Sequence, residues 1–216
     1  MSEFILMTDS TADMPESFYR ENQIPVLSLT YTLDDHTYTL ADSLPMTQFY
    51  DKLRQGAMPV TSQVNPEAAL MGFREAARQD KDILCVCFSS ALSGTYNYRG
   101  GRVSKTAAIV GSMISIKPIL HVDDAGTLQV IGKVHGRNKS LKTLVDLMEE
   151  KMGSWKDKDE IFMICQGDVQ PEAEQVAQMV KDRFGISQSL ISYTGPVIGS
   201  HTGAGVIGLF FMGDHR

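Results

Sequence analysis

The chain has 216 residues and a mass of 23.8 kDa, which allows one large domain or two small ones. It is 43% hydrophobic and 21% charged, and 20 Lys and Arg residues against 26 Asp and Glu residues give a formal net charge of −6. This composition is close to the globular average and excludes fibrous, collagen-like and low-complexity proteins.

The chain opens with a pattern typical of a strand followed by a helix. The apolar run Phe4–Thr8 predicts a buried strand, and a helix is expected from Pro15 onward. Val26–Thr32 and His36–Leu40 flank an Asp-Asp pair and are rich in Tyr, Thr and Leu, which favours a hairpin or two short strands.

Two further helices and a strand are predicted before residue 90. Ser43 is expected to cap a helix that ends at Gly56. Asn65, followed by a proline and a glutamate, is a strong signal for the start of a second helix. Asp82–Phe88 predicts a buried strand.

The middle of the chain combines helices with a hairpin. Ser104–Ile116 has apolar residues at helical spacing and precedes a proline. Ile119–Val122 and Leu128–Val134 flank a turn sequence with glycine and predict a hairpin. Ser140–Met152 predicts an amphipathic helix, and Glu160–Cys165 predicts a strand.

The last quarter predicts a helix over Pro171–Phe184 and a strand over Ser187–Ser192. A polar, glycine-dense loop is expected over Gly195–Gly205, followed by a terminal strand over Val206–Met212. Strands that alternate with helices, with hairpins inserted, indicate an α/β chain with mixed sheets.

The sequence shows no pattern typical of a membrane span, a signal peptide or a structural zinc site. No apolar run approaches the roughly 20 residues of a bilayer span, and Glu3 stands where a signal peptide carries basic residues. We therefore expect a cytoplasmic chain with no integral membrane segment. Cys85, Cys87 and Cys165 lack the paired spacing of a structural zinc site, so we expect free thiols, no metal and no cofactor.

Positive charge is concentrated in one part of the chain. The stretch from residue 99 to residue 142 carries eight basic and two acidic residues, a net charge of +6, so the remainder carries −12. Two interpretations stay open: a solvated face, or a docking patch for an anionic group or an acidic partner. Nucleic acid is not an expected partner, because the stretch lacks interleaved aromatic residues and the remainder repels a polyanion.

Four hydroxyl-rich loops each follow a predicted strand or extended run. Because ligands of open α/β sheets bind beyond the carboxyl ends of strands, these loops are placed to converge on one ligand. Their hydroxyl groups, backbone amides and single histidine suit a carboxylate or another oxyanion, although each loop alone is also what a simple turn requires. The loops are Thr8–Thr11, Thr61–Gln63, Ser89–Thr95 and Gly199–Gly203.

Motifs spread over nearly the whole chain resemble the DegV family of bacterial fatty-acid-binding proteins, and they occur in the family's order. They are Thr8-Asp9-Ser10-Thr11-Ala12-Asp13, Thr61-Ser62-Gln63, Ser90-Ala91-Leu92-Ser93-Gly94-Thr95-Tyr96, Gly100-Gly101-Arg102-Val103-Ser104 with Lys117-Pro118-Ile119-Leu120, and Gly195-Pro196-Val197-Ile198-Gly199-Ser200-His201-Thr202-Gly203.

The resemblance implies a two-lobed fold of mixed sheets flanked by helices, with one long-chain fatty acid in an apolar tunnel between the lobes. We expect an N-terminal lobe over residues 1–80 and a C-terminal lobe over residues 81–216. Such proteins are binding subunits of a fatty acid kinase. They present the carboxylate to an ATP-using catalytic subunit, which forms the acyl phosphate for phospholipid synthesis. The chain is therefore expected to be a lipid carrier and not itself an enzyme.

The resemblance also assigns roles to individual residues. The expected carboxylate ligands are Thr61, Ser62, Ser93 and His201. The expected supporting residues are Ser10, Thr95, Gly199, Ser200 and Thr202. The basic stretch supplies the hypothetical kinase-docking residues, which are Arg99, Arg102, Lys133, Arg137 and Lys139.

The chain departs from the family pattern in two places. Ala204 stands where a proline is usual, which loosens the loop around His201. Only three residues separate Tyr96 from Gly100, where family members insert several helices and a strand. We therefore predict an internal gap near residues 97–100, either in a shortened variant or because the sequence omits a segment.

Other functions fit the sequence less well. A serine hydrolase would use Ser93 or Ser200 with His201, but the GxSxG elbow is absent and no orienting acid is evident. A small-molecule kinase would need a phosphate-binding loop, and the chain contains no GxxxxGK[ST] motif. An interaction module without a ligand also stays open.

Overall fold

The computed structural model describes residues 4–93, 116–158 and 160–214. These residues form two compact units. Unit 1 consists of residues 4–93 with residues 194–204, and unit 2 consists of residues 116–158, 160–193 and 205–214. Both units combine sheets with helices, so the predicted α/β class is confirmed.

The described residues contain eleven strands and six α-helices. The strands are β1 (Phe4–Asp9), β2 (Val26–Leu27), β3 (Thr30–Leu33), β4 (His36–Tyr38), β5 (Val60–Ser62), β6 (Asp82–Val86), β7 (Ile116–Val122), β8 (Leu128–His135), β9 (Ile161–Gln166), β10 (Gln188–Tyr193) and β11 (Ile207–Phe210). The helices are α1 (Glu16–Glu21), α2 (Met46–Arg54), α3 (Pro66–Ala77), α4 (Arg137–Met152), α5 (Gln170–Phe184) and α6 (Pro196–Thr202). Single 3-10 turns cover Ser10–Ala12 and Gly153–Trp155.

One sheet of unit 1 is parallel, in the order β2-β1-β6. Its alternating side chains divide between two faces. Ile5 and Met7 of β1 lie on the buried face, in a core with Leu27, Leu29 and residues of α3. The opposite face carries exposed apolar side chains, among them Phe4 at 55% and Val86 at 55% exposure. This sheet is therefore covered on only one side within the described residues.

The second sheet of unit 1 is antiparallel, in the order β4-β3-β5. Strands β3 and β4 form the predicted hairpin, and its turn residues Asp34 and Asp35 both have positive φ, as the two-residue turns favoured in hairpins require. Strand β5 pairs with β3 on the other side and places Thr61 opposite Tyr31. The Thr61-Ser62-Gln63 triplet therefore begins on an edge strand.

Unit 2 contains a mixed sheet in the order β10-β9-β11 and the hairpin β7-β8. Strand β9 pairs in parallel with β10 and antiparallel with β11. Helices α4 and α5 supply Val145, Met148 and Val176 to a core that also contains Phe162 and Ile164 of β9. Each of these side chains is at most 1% exposed, which assigns Met148 to the core.

Several local predictions need correction. Ser43 does not cap α2: the helix begins after Pro45 without a side-chain cap, and the Ser43 hydroxyl lies 3.3 Å from that of Tyr31. Helix α4 begins at Arg137, and Ser140 is buried inside it, where its hydroxyl donates to the Arg137 carbonyl. The helix predicted over Ser104–Ile116 lies outside the described residues, except that Ile116 begins β7.

The division into units differs from the boundary predicted between residues 80 and 81. Strand β6 pairs with β1 in parallel, so it belongs to unit 1. Residues 194–204 also join unit 1, because Val197 packs into its core. Among the described residues, no helix has the length and apolar character to cross a bilayer.

Candidate functional site

The segment predicted as a loop over Gly195–Gly205 contains helix α6. Glycine, serine and histidine give this segment little intrinsic helix propensity, which is why the pattern favours a loop. The helix nevertheless has clear ends, with Pro196 in its first turn and Gly203 after it at φ +78°. Packing against the rest of unit 1 supplies the stability that propensity lacks.

His201 lies in the last turn of α6 and meets Thr61 of β5. Its Nε2 atom is 2.8 Å from Thr61 Oγ1, although 140 residues separate the two positions in the chain. The imidazole is exposed and Thr61 is half-buried. Both residues are predicted carboxylate ligands, and the structure brings them into direct contact.

This contact leaves a hydrogen-bond donor for an anion in every protonation state of the histidine. If Nε2 carries the proton and donates to Thr61, the threonine hydroxyl proton is available to a ligand. If Nε2 accepts from Thr61, Nδ1 carries the proton and is the available donor. The imidazolium leaves both donors available, so the pair suits a carboxylate.

Helix α2 supports α6 through two fully buried rings, Phe49 and Tyr50. The Tyr50 hydroxyl donates to the carbonyl of Thr194, just before α6, at 2.7 Å. Gly199 faces the same rings: a Cβ atom there would lie 2.8 Å from the Tyr50 hydroxyl oxygen and 3.0 Å from a Phe49 ring carbon. Only glycine permits α6 to approach α2 this closely.

The first predicted loop supports α6 at its other end. The Gly195 backbone N–H donates to the carboxylate of Asp13, and a Cβ atom on Gly195 would collide with that carboxylate. Burial is the main reason that the pKa of Asp13 rises from 3.8 to about 7, and the nearby Asp9 carboxylate adds to the rise. The Asp9 carboxylate is held in place by two hydrogen bonds, which it accepts from the backbone N–H groups of Thr11 and Phe88.

Asp13→Asn is expected to change how stability depends on pH. Because its pKa is raised, Asp13 binds a proton more readily in the folded chain than in the unfolded chain. The contribution of Asp13 to the free energy of unfolding therefore falls as pH rises from about 4 to about 7. Asparagine removes this dependence and tolerates the left-handed conformation at φ +52°. We expect the variant to be about 1–3 kcal/mol more stable above pH 7, a range that allows for the partial exposure of Asp13.

Urea denaturation between pH 4 and pH 8, followed by circular dichroism, measures this gain. The matched control is Asp80→Asn, because Asp80 has the same φ of +52° but is exposed. A gain in Asp13→Asn that is equal at pH 4 and pH 8 would contradict the assignment of the titrating group.

The other two predicted carboxylate ligands are Ser62 and Ser93. Ser62 follows Thr61 on β5, is exposed and pairs with Thr30. Ser93 is half-buried in the turn after β6, where its N–H donates to the Ser89 carbonyl. Its role as a carboxylate ligand remains a prediction.

Besides Gly199, which packs against the rings of α2, four supporting residues were predicted. Ser10 accepts a hydrogen bond from the Leu29 N–H and so links the first loop to the strand region after it. Ser200 and Thr202 donate their hydroxyl groups to carbonyls one turn earlier within α6, those of Pro196 and Ile198. Thr95 lies outside the described residues. The Ser200 hydroxyl thus points its proton at the helix backbone and not at His201.

The basic residues of unit 2 differ in what their side chains contact. Arg137 donates to the Glu172 carboxylate and, at 2.7 Å, to the Gly205 carbonyl, so it holds α4, α5 and the approach to β11 together. Lys133 of β8 and Lys139 of α4 are exposed. Arg99 and Arg102 lie outside the described residues. In the described part of the chain, no three His, Cys, Asp or Glu side chains cluster as a metal site would require.

The structural roles of two residues of the site could not be predicted from the sequence. Tyr50 lies in α2, and a buried tyrosine hydroxyl needs a hydrogen-bond partner, but no pattern in the sequence identifies that partner as the Thr194 carbonyl. Asp13 belongs to the first motif of the family resemblance. No pattern in the sequence links it to Gly195, which lies 182 positions later in the chain. Local signals exist for neither contact.

Comparison with known proteins gives one consistent family. A protein-family model described as "Uncharacterised protein, DegV family" matches residues 3–99 and 98–214. A DegV domain-containing protein of Clostridium perfringens is 32% identical over 291 aligned positions, covering 100% of this chain and 99% of the relative.

Solved structures agree in fold. A fatty-acid-binding DegV family protein of Thermus thermophilus matches with a TM-score of 0.79 at 20% identity, over 99% of this chain and 100% of its own. A DegV family protein of Eubacterium eligens, loaded with heptadecanoic acid, matches with a TM-score of 0.77 at 19% identity, over 98% of this chain and 99% of its own.

The predicted internal gap is confirmed. The two matched segments of the family model meet at residues 98 and 99. The alignment with the Clostridium perfringens relative has 291 positions, and this chain has 216 residues, which leaves about 75 positions of the alignment with no residue of this chain. The chain thus contains both ends of the family domain and lacks a segment between them.

Proposed function

The chain belongs to the DegV family, and on that basis we propose that it binds a long-chain fatty acid and holds its carboxylate at Thr61 and His201. The observation that carries the proposal is the 2.8 Å contact between Thr61 Oγ1 and His201 Nε2. A hydroxyl and an imidazole together satisfy a carboxylate without a lysine or an arginine. Ser62 and Ser93 complete the proposed ligand set.

The hydrocarbon tail supplies most of the binding free energy. Each buried methylene group contributes about 0.8 kcal/mol, so a tail of roughly 16 carbons contributes about 13 kcal/mol before ordering costs are subtracted. The carboxylate contacts therefore serve mainly to orient the ligand and to select an acid over an ester or an alcohol.

We further propose that the chain is a carrier that presents the carboxylate to an ATP-dependent fatty acid kinase, and that it works in the cytoplasm, where ATP is available. The hydroxyl of Ser200 is engaged by its own helix, which supports a binding role for α6 over a hydrolytic one. The kinase forms the acyl phosphate, so this chain needs neither a metal nor a cofactor of its own.

Competition between three ligands of equal chain length tests the proposal. We expect heptadecanoic acid to bind at least about tenfold more tightly than its methyl ester or the corresponding alcohol, since only the acid offers a charge to the hydroxyl and imidazole donors. Isothermal titration calorimetry at pH 8 measures the three affinities. Equal affinities would contradict a carboxylate site, and release of methanol from the ester would favour the hydrolase interpretation.

Lys133 and Lys139 are the proposed kinase-docking residues in the described part of unit 2. Replacing both with glutamate is expected to lower ATP-dependent acyl phosphate formation at least about fivefold, because reversed charge slows the encounter with an acidic partner. Fatty acid affinity should stay unchanged. Hydroxylamine trapping of the acyl phosphate, with a purified bacterial fatty acid kinase subunit, measures the rate.

Charge reversal at Arg137 is a poor test of docking, because it breaks the bonds to Glu172 and Gly205 inside unit 2. The matched control is Lys156→Glu with Lys158→Glu, a double reversal at two exposed lysines outside the basic stretch. An equal loss of rate in both double variants would show that net charge, and not this patch, governs the reaction.

A further inference from the structure

The polypeptide just before α6 is held from two sides by side chains of other elements. The Tyr50 hydroxyl donates to the Thr194 carbonyl at 2.7 Å. The Asp13 carboxylate accepts from the Gly195 N–H, the other polar end of the same peptide bond. Both groups belong to unit 1, on α2 and on the loop after the first 3-10 turn.

A clamp of this kind fixes the position of His201. Helix α6 has only seven residues, so its backbone turns as one rigid piece about 10 Å long. The Thr194–Gly195 peptide enters its first turn, and His201 is in its last turn. Small changes at the entry would therefore move the imidazole relative to Thr61, and a 2.8 Å hydrogen bond tolerates little displacement.

We propose that Asp13 and Tyr50 are positioning residues that clamp the Thr194–Gly195 peptide and so hold His201 at the carboxylate site. This inference rests on the proposed function of that site. The chain keeps a partly buried carboxylate beside Asp9 to make one bond to a backbone N–H. This arrangement lowers the stability of the folded chain, and residues that lower stability are typically kept because they serve a functional site.

Titration of the clamp gives it a signature that a purely structural contact lacks. Asp13 is faced by Asp9 from β1, by Tyr19 from α1 and by the Gly195 N–H from α6. The ionised form of Asp13 accepts the Gly195 hydrogen bond more strongly than the protonated form does. Fatty acid affinity should therefore fall as pH drops below the pKa of Asp13, which is about 7.

The experiment compares Tyr50→Phe and Asp13→Asn with the parent chain, using heptadecanoic acid as ligand. We expect Tyr50→Phe to bind at least about fivefold more weakly at every pH. Asp13→Asn should bind about fivefold more weakly at pH 8 and equally well at pH 5.5, although its unfolding temperature rises at pH 8. A structural residue would lose stability and affinity together.

Tyr31→Phe is the matched control, because Tyr31 is also buried and its hydroxyl accepts from the N–H of Leu44, in the segment before α2. The imidazole NMR signals of His201, recorded without ligand, should shift in Tyr50→Phe and Asp13→Asn but not in Tyr31→Phe. Unshifted signals, or affinities that match Tyr31→Phe, would overturn the inference. A parent chain that binds no fatty acid would overturn the proposed function, while the His201 signals would still test the clamp.

Discussion

His201→Ala is expected to weaken the binding of heptadecanoic acid by about 10- to 150-fold, because a hydrogen bond to a charged group is worth about 1.5–3 kcal/mol. The variant also leaves the Thr61 hydroxyl without its 2.8 Å partner, so the remaining donor is poorly oriented. The fold should be little affected, since His201 is exposed. Calorimetric titration at pH 8 measures the loss.

His36→Ala is the matched control for this variant. His36 is an exposed histidine of unit 1, on β4, whose ring lies 3.8 Å from the Asp42 carboxylate at the surface. We expect its affinity for the fatty acid to stay within about twofold of the parent, because surface ion pairs contribute about 0–1 kcal/mol. If both alanine variants bound as tightly as the parent chain, the carboxylate would have to lie elsewhere.

Gly199→Ala is the second substitution with a large expected effect. The added methyl group would lie 2.8 Å from the Tyr50 hydroxyl oxygen and 3.0 Å from the Phe49 ring, and both rings are 0% exposed and have no room to retreat. Helix α6 must then move away from α2, and His201 moves with it. We expect affinity for heptadecanoic acid to fall at least about tenfold, since the Thr61–His201 contact is lost.

The same substitution should change stability much less than it changes affinity. Overpacking a buried contact costs about 1–3 kcal/mol, while alanine gains up to about 1 kcal/mol of helix propensity over glycine. Gly132→Ala is the control, because a Cβ atom there meets Ile119 at an ordinary 3.7 Å. A Gly199→Ala variant that lost several kcal/mol and kept its affinity would mean that α6 is held by contacts other than those with α2.

Much of the fold follows from local patterns. The Asn65 cap was predictable because its side chain can accept from the N–H groups of the first turn, and it does so with those of Glu67 and Ala68. The strand β1 was equally clear, since alternate residues such as Ile5 and Met7 are buried. In both cases the residues that decide the structure are neighbours in sequence.

Helix α6 shows where local patterns stop. Its residues favour a loop by propensity, and the contacts that make it a helix come from Phe49 and Tyr50, about 150 positions earlier in the chain. Ser43 is the opposite case, in which a local signal is overridden. Serine is a good capping residue, but the Ser43 hydroxyl contacts the hydroxyl of Tyr31, and α2 has no side-chain cap. Tertiary contacts decided both outcomes.

The site itself was predictable only through the family resemblance. Composition and spacing indicated loops suited to an oxyanion, but they did not pair Thr61 with His201. Neither the residue patterns nor the family resemblance predicted the contacts of Asp13 and Tyr50, because each contact joins a side chain to a distant backbone group. Such contacts leave no residue pattern at the partner position.

The internal gap makes one measurement more informative than any variant. Native mass spectrometry of the chain purified from bacteria, before and after incubation with heptadecanoic acid, reports directly whether this chain holds a lipid. We expect one fatty acid per chain, either already bound or taken up on incubation, and displaced by an excess of a second acid. A chain that remains at its own mass after incubation would contradict the proposed function.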